Sequence, residues 1–513
     1  MESVLEQIAR IQIFSEFALS LFLIIPLVLI SRTVVTGTKY SPILLIVIFG
    51  LMMGYALVAG DVSEPGLPDF QIVDILSKTT IIALIASFFV GGQELRKLIS
   101  KLHVEPDTTY AHSEIETSVG TTLTQLLYIV RAFLLLLGLE VATRAIMGNN
   151  DGAISRYYPL LAYIGLAGSI LLVDFKAKIA NKKLHMRRGV VEMAFICLIL
   201  IATDFISSAV KPTIALPQIF FAMLVTCGLG AIFYKWRMGA TLRALLFAGL
   251  PIVLAANFMI GGSRFTEVFH IGGMNSILGF GFFGQLTWMF GRIALIMIFG
   301  KTAHVRNLAP ALAGGLSHAG LTGACTAGDL GPIAASRAPI MINLPFLAHI
   351  FVFSILAVSA ERGTLMMAPS LVVLAAGIAL TIMSKRSLRT ANGNDTKELN
   401  GLMLFSLGWQ LVALFGGFIL LSLAGMPLDH TAVATTSSLS HFGLFAATQG
   451  GMFGIGMAEL LPFIFAMPFL VHPFVFYVFG KAMDKDGHLH YGTVFVLAGI
   501  GVVGTIISLA AVV

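Results

Sequence analysis

Apolar residues in this chain run continuously rather than with the period of a soluble helix or strand. Runs of about 20 residues suffice to carry an α-helix across a hydrocarbon core. Such runs lie near 12–33, 41–60, 74–93, 120–147, 156–175, 188–210, 215–236, 242–260, 275–303, 339–358, 363–384, 401–424, 460–480 and 489–512. The pattern predicts an all-α polytopic membrane protein with about 14 transmembrane helices. Two further stretches, 308–335 and 430–456, are apolar but rich in Gly, Ala, Ser and Thr.

The polar punctuation sets a topology. Basic loops hold Arg96, Lys97 and Lys101, then Lys176, Lys178, Lys182, Lys183, Arg187 and Arg188, then Lys235, Arg237 and Arg243, then Lys301 and Arg306. Each is two spans from the last. Assigning all of them to the cytoplasm puts Asp61, Glu64, Asp69 and the N-terminus outside. Lys385, Arg386 and Arg389, and later Lys481 and Lys485, stay cytoplasmic only if 308–335 and 430–456 do not cross as simple helices. Each is therefore expected to be broken or re-entrant, a geometry tolerated at membrane depth where protein or a wet cavity surrounds it.

The two segments are copies. "LSHAGLTGACTAG" from Leu316 matches "LSHFGLFAATQGG" from Leu439, and "LPFLAHIFVF" from Leu344 matches "MPFLVHPFVF" from Met467, all at an offset of 123 residues. Without a gap, 316–353 and 439–476 share 17 identities in 38 positions. Three crossings per copy would invert the second copy relative to the first, the arrangement of many secondary transporters. The expected organisation is an N-terminal helical region over 1–270, copy 1 over 283–390 and copy 2 over 401–513, in one membrane unit.

Composition agrees with the pattern. Hydrophobic residues make up 57% of the 513 residues and charged residues 11%, against roughly a quarter charged in soluble domains. The net charge of +6 resides in loops and is no nucleic-acid signal. Cys197, Cys227 and Cys325 lie apart in apolar stretches and suggest neither disulfide nor zinc site. No nucleotide-binding, nucleophile or metalloprotease motif appears, so no catalytic residues and no cofactor are assigned. A location in the cell membrane, the bacterial inner membrane, is expected.

Candidate chemistry concentrates in three places. Asp204, with Thr203 beside it, stands within an apolar run, where a charge costs at least about 2.5 kcal/mol; the pair is a candidate ion site. Ser317, His318, Thr322, Thr326, Ser437, Ser440, His441, Thr448 and Gln449 offer oxygens and ring nitrogens along the two Gly-rich segments, a candidate path for substrate or ion. Close helix packing is the bland reading of the small residues. His318, His349, His441 and His472 form two matching pairs, 31 residues apart within each copy. Hydrogen bonds to facing carbonyls or hydroxyls are their expected use, with a proton relay or a metal or haem role as further readings. No carboxylate or Cys cluster accompanies them, so no metal is assigned. Glu140 and Arg144 are spaced to pair on one helix face.

Residues 10–210 resemble the Kef-type cation:proton antiporters. The resemblance rests on "KYSPILLIVIFGLMMGYAL" (39–57), "ASFFVGGQELRKL" (86–98), "LLAYIGLAGSILLVDF" (160–175) and "ILIATDFISSAV" (199–210). It implies alternating access with Asp204 binding H+ or a monovalent cation, and a homodimer. Helix 404–425 has no basic residue of the kind that family carries late in its core. Arg292 is the candidate substitute, a charge partner for Asp204 or for a substrate carboxylate. The Gly-rich pair is similar instead to sodium-coupled carboxylate symporters. The expected function is thus an ion-coupled secondary transporter, a cation:proton antiporter first, a sodium-coupled symporter of a small anion second, and a membrane redox or metal-binding protein third.

Overall fold

The structure, a computed structural model, describes residues 2–35, 42–59, 71–100, 122–148, 152–172, 179–211, 216–299, 305–326, 329–390, 395–483 and 489–511. Among them it is helical throughout, as lipid requires of a chain whose backbone must satisfy its own hydrogen bonds. The first half holds α1 (Glu2–Val35), α2 (Pro42–Ala59), α3 (Gln71–Ser77), α4 (Thr80–Ile99), α5 (Thr122–Met147), α6 (Tyr158–Leu171), α7 (Ile179–Val210), α8 (Gln218–Ile232) and α9, which runs Ala240–Ala244, takes a π turn over Leu245–Gly249 and continues Leu250–Ser263. Among the described residues, 12 helical stretches are long and apolar enough to span a membrane. Each of the 14 predicted spans overlaps described helix, and 74–93 is divided between α3 and α4. α6 and α8, of 14 and 15 residues, are shorter than a membrane crossing needs. The chain is an all-α, multi-pass membrane protein.

Two breaks in the first half escape sequence reading. α3 and α4 are separated by a turn at Lys78–Thr79 inside one apolar run. The π turn in α9 shifts the local hydrogen-bond ladder, and Arg32 donates to its Phe247 carbonyl at 2.8 Å while lying 4.0 Å from the Phe247 ring. Asp61, Glu64 and Asp69, and the loop lysines Lys101, Lys176, Lys178, Lys301 and Lys485, lie outside the described residues.

The second half is two copies of one design. Copy 1 comprises α10 (Met274–Ile298), α11 (Val305–Leu316), α12 (Ala319–Thr326), α13 (Pro332–Asn343), α14 (His349–Arg362) and α15 (Met367–Arg389). Copy 2 comprises α16 (Asp395–Leu423), α17 (Leu428–Leu439), α18 (Phe442–Gln449), α19 (Ile455–Ala466), α20 (His472–Met483) and α21 (Tyr491–Ala510). α10 begins before the boundary predicted at 283. The Gly-rich segments are the short pairs α11–α12 and α17–α18. The next helix in each copy is broken by a 3-10 turn, Pro345–Ala348 or Met467–Val471, where a proline removes a backbone donor.

Contacts show that each short pair is re-entrant. Arg337 of α13 hydrogen-bonds Asn307 at the start of α11, and Gly314 near the end of α11 faces Met341 near the end of α13. α11 and α13 therefore run side by side in the same direction, so α12 and the turn after it bring the chain back to the end where α11 began. Asn307 also bonds Glu398 at 2.6 Å, and Arg389 bonds the Phe299 carbonyl at 2.9 Å. The end of α10, the mouth of the first pair, the end of α15 and the start of α16 thus gather at one end of the bundle.

The second pair opens at the other end. α16 has 29 residues, enough at about 1.5 Å each to cross the bundle. α19 starts beside the turn between α9 and α10: Arg264 lies 4.0 Å from Glu459, and Phe265 and Phe463 meet at 5.4 Å. The copies are inverted, and they are also interleaved. α15 of copy 1 packs along α16, with Gly377 and Gly408 in close contact, while α21 of copy 2 packs along α10 through Gly501 and Gly504.

Candidate functional site

The two re-entrant segments touch where each helix breaks. α11 ends with Ser317 in the left-handed region at φ 48°, and α17 ends with Ser440 at the same value. Both ends are Schellman motifs: Ser317 N–H donates to Gly314 O and His318 N–H to Ala313 O, with Ser440 to Ser437 O and His441 to Thr436 O in copy 2. A helix break strands backbone groups, and stranded groups in a water-poor interior are costly. Here the two breaks satisfy one another. Ala319 N–H donates to Ser440 O at 3.0 Å, and Phe442 N–H to Ser317 O at 3.1 Å, an antiparallel bridge centred on His318 and His441. The crossing lies near the midpoints of α10 and α16, which supply Gln285 and Gln410.

Side chains elaborate this bridge with the same near-symmetry. His318 Nδ1 accepts from Leu321 N–H at 3.0 Å, and His441 Nδ1 from Leu444 N–H at 3.1 Å, so each histidine caps the next half-helix. Its Nε2 meets a histidine of the other copy: His318 and His472 at 3.3 Å, His441 and His349 at 3.1 Å. The pairs therefore run between copies, not within them. Gln410 lies 2.7 Å from His441 Nε2 and 3.2 Å from Ser317 Oγ, and Gln285 makes the equivalent contact with His318. All four rings are buried, and among the described residues neither Nδ1 of His349 nor that of His472 has a hydrogen-bond partner. Among the described residues no three His, Cys, Asp or Glu side chains gather as metal ligands.

The other path candidates divide into two groups. Thr326, Ser437 and Thr448 spend their hydroxyls on carbonyls of their own helices at 2.8–2.9 Å. Thr322 and Ser440 have buried hydroxyls without partners, as does Thr435. Gln449, at the far end of α18, bonds Asn257 at 3.1 Å, and Asn257 donates to Ser77 O at 3.1 Å. The end of α18 is thus tied to the break between α3 and α4. Beside it opens a cavity of about 380 Å³, lined by Lys78, Thr80, Ser207, Lys211, Gln218 and Gln449 among others.

Asp204 and Thr203 are not part of the crossing. Thr203 is buried with its hydroxyl on Ile199 O at 2.7 Å. Asp204 is half-buried on α7, with no hydrogen bond or ion pair among the described residues. The pairing of Arg292 with Asp204 is corrected. Arg292 is fully buried on α10, where it donates to Leu312 O at 3.2 Å and Ser406 Oγ at 2.7 Å and lies 5.2 Å from the Phe405 ring. Leu312 belongs to the last turns of α11, so the guanidinium complements the negative end of that half-helix dipole. Glu140 and Arg144 do pair, at 2.8 Å.

Sequence reading missed Gln285 and Gln410. They stand 33 and 31 residues before their histidines, so the gapless alignment that exposed the repeat does not superpose them. A search for polar residues near the middle of the helix preceding each Gly-rich segment would have found both. Comparison of the chain with protein-family models, with curated proteins and with solved structures returns no match.

Proposed function

We propose that the protein is a secondary transporter working by alternating access, with its solute site at the crossing of the two re-entrant segments. The observation that carries this reading is the inverted pair of half-helix breaks, joined by main-chain hydrogen bonds and surrounded by buried polar side chains from both copies. Buried polar groups in a membrane protein are costly and accompany function. Inverted repeats give one such site two mirror-related routes, one to each end of the bundle. The amides, imidazoles and hydroxyls at the crossing, with the Arg292 cation one helix turn beyond, suit a small polar or anionic solute better than a bare cation. The cavity beside Gln449 is the outer approach. Uptake by proteoliposomes from a panel of small carboxylates and other polar solutes, under imposed Na+, K+ and pH gradients, tests the reading. Solute-dependent current or accumulation is the expected result, and silence across the panel and all gradients counts against it.

A second reading keeps the cation:proton antiporter with Asp204 as the ion site. It is favoured by one observation, a half-buried carboxylate without a described partner in a long apolar helix. The two readings separate on Asp204→Asn. If the site is at the crossing, this variant retains uptake and its ion dependence. Loss of ion dependence with the fold intact would move the coupling site to α7.

A further inference from the structure

We propose that the two cross-copy histidine pairs are proton sites, and that taking up a proton at either one breaks the contact between the copies; the inference rests on the transporter reading and makes H+ its coupling ion. A neutral imidazole has one N–H. In His318 and His441, Nδ1 accepts a backbone N–H, so the ring hydrogen is on Nε2. That hydrogen points at Nε2 of His472 or His349. The second ring must then receive it with a bare Nε2 and carry its own hydrogen on Nδ1, the atom that is buried without a partner.

The glutamines fit the same count. Facing an N–H, each amide presents its oxygen after a half-turn that leaves its shape unchanged, and its NH2 then takes the place where Oε1 of Gln285 or Gln410 had no partner. The contact between the rings of each pair therefore requires all four rings to be neutral. Add a proton to His349 or His472 and two N–H groups oppose each other across 3.1 or 3.3 Å. Add it to His318 or His441 and the ring must release the backbone N–H of Leu321 or Leu444, uncapping a half-helix. In the first case the bond lost joins copy 1 to copy 2, and in the second it is the cap of a half-helix at the crossing. In His349 and His472 the added proton binds Nε2, since Nδ1 already carries the ring hydrogen.

The surroundings isolate the pairs. His349 is flanked by the Phe346 and Phe353 rings, and His472 by Phe469 and Phe476. The ring nitrogen of each that has a hydrogen-bond contact faces the other member of its pair. Arg292 on α10 packs against Gly315, next to the break in α11. Among the described residues no carboxylate hydrogen-bonds or ion-pairs with the four rings, so a proton there is held only while the crossing is open to water, and closing the crossing expels it.

The test uses the full-length protein in lipid nanodiscs, with its native cysteines replaced by serine and spin labels at Glu361→Cys in copy 1 and Leu423→Cys in copy 2. The distance distribution between the labels is expected to shift between pH 8 and pH 5, and His349→Gln with His472→Gln is expected to make the two distributions coincide. Absence of a shift in the parent, or a shift that survives both substitutions, overturns the proposal. Should the double variant not fold, ring-nitrogen NMR of the parent decides. The four rings are expected to pass to imidazolium over the pH range of the distance shift, and rings that stay neutral through it overturn the proposal. Solute uptake indifferent to an imposed pH gradient would remove the proton and leave the transporter standing. A pH-driven shift in a protein that moves no solute would do the reverse.

Discussion

Gln410→Leu is expected to abolish solute uptake in a protein that still folds. Leucine is close in volume, and the main-chain bridge beside it does not depend on the amide. What it removes is the group that touches both His441 Nε2 and Ser317 Oγ. Each buried polar group stripped of its partner costs about 1–3 kcal/mol, so the crossing loses about tenfold or more in whichever state it is closed. The measurement is initial uptake by proteoliposomes alongside gel filtration of the purified variant. Uptake at the parental rate from a monodisperse variant would show that the amide takes no part.

Gly314→Val is expected to have the largest effect on the fold. A Cβ at Gly314 would stand 1.9 Å from the main-chain oxygen of Met341, and a carbonyl cannot step aside as a flexible side chain can. α11 and α13 would have to part, and with them the Arg337–Asn307 contact that holds the first re-entrant segment parallel to its neighbour. Overpacking costs about 1–3 kcal/mol where side chains can adjust, and here the backbone must move instead. Gly499→Ala is the control, because nothing lies within 4 Å of its added Cβ and alanine favours the helix by about 1 kcal/mol. The valine variant should aggregate or melt early in detergent, and the control should not. Parental thermal stability in the valine variant would contradict the close α11–α13 packing.

Much of this architecture was legible because membrane constraints are strict. Continuous apolar runs have one structural solution, so the predicted spans overlap helices, 12 of them long and apolar enough to cross a membrane among the described residues. The offset of 123 residues foretold that α11–α12 and α17–α18 would share one form, and the charge asymmetry around Arg389 foretold that this form would not cross. The site was less legible. That His318 meets His472 rather than His349 follows from inversion and interleaving, which bring the second break of one copy to the first break of the other; linear spacing carries no such information. Gln285 and Gln410 look like ordinary polar residues in apolar helices until the fold aims them at the rings. Asp204 drew attention because an acid in an apolar run is conspicuous. Yet conspicuous cost can be relieved at a half-buried position, and the chain places it away from the crossing. Arg292 shows the converse: it is buried without an opposite charge because a half-helix C-terminus supplies the negative end of a dipole.

The central claim is that two re-entrant segments enter from opposite ends of the bundle and meet in its middle. It is tested most directly by single cysteines at Asp329, Thr364, Ser387 and Gly450, labelled in sealed, oriented vesicles with a membrane-impermeant thiol reagent. Asp329→Cys and Ser387→Cys should react from one side, and Thr364→Cys and Gly450→Cys only from the other. Labelling of Asp329→Cys and Thr364→Cys from the same side, or of Asp329→Cys and Gly450→Cys from the same side, would contradict the inverted geometry and with it the account of the crossing as a transport site.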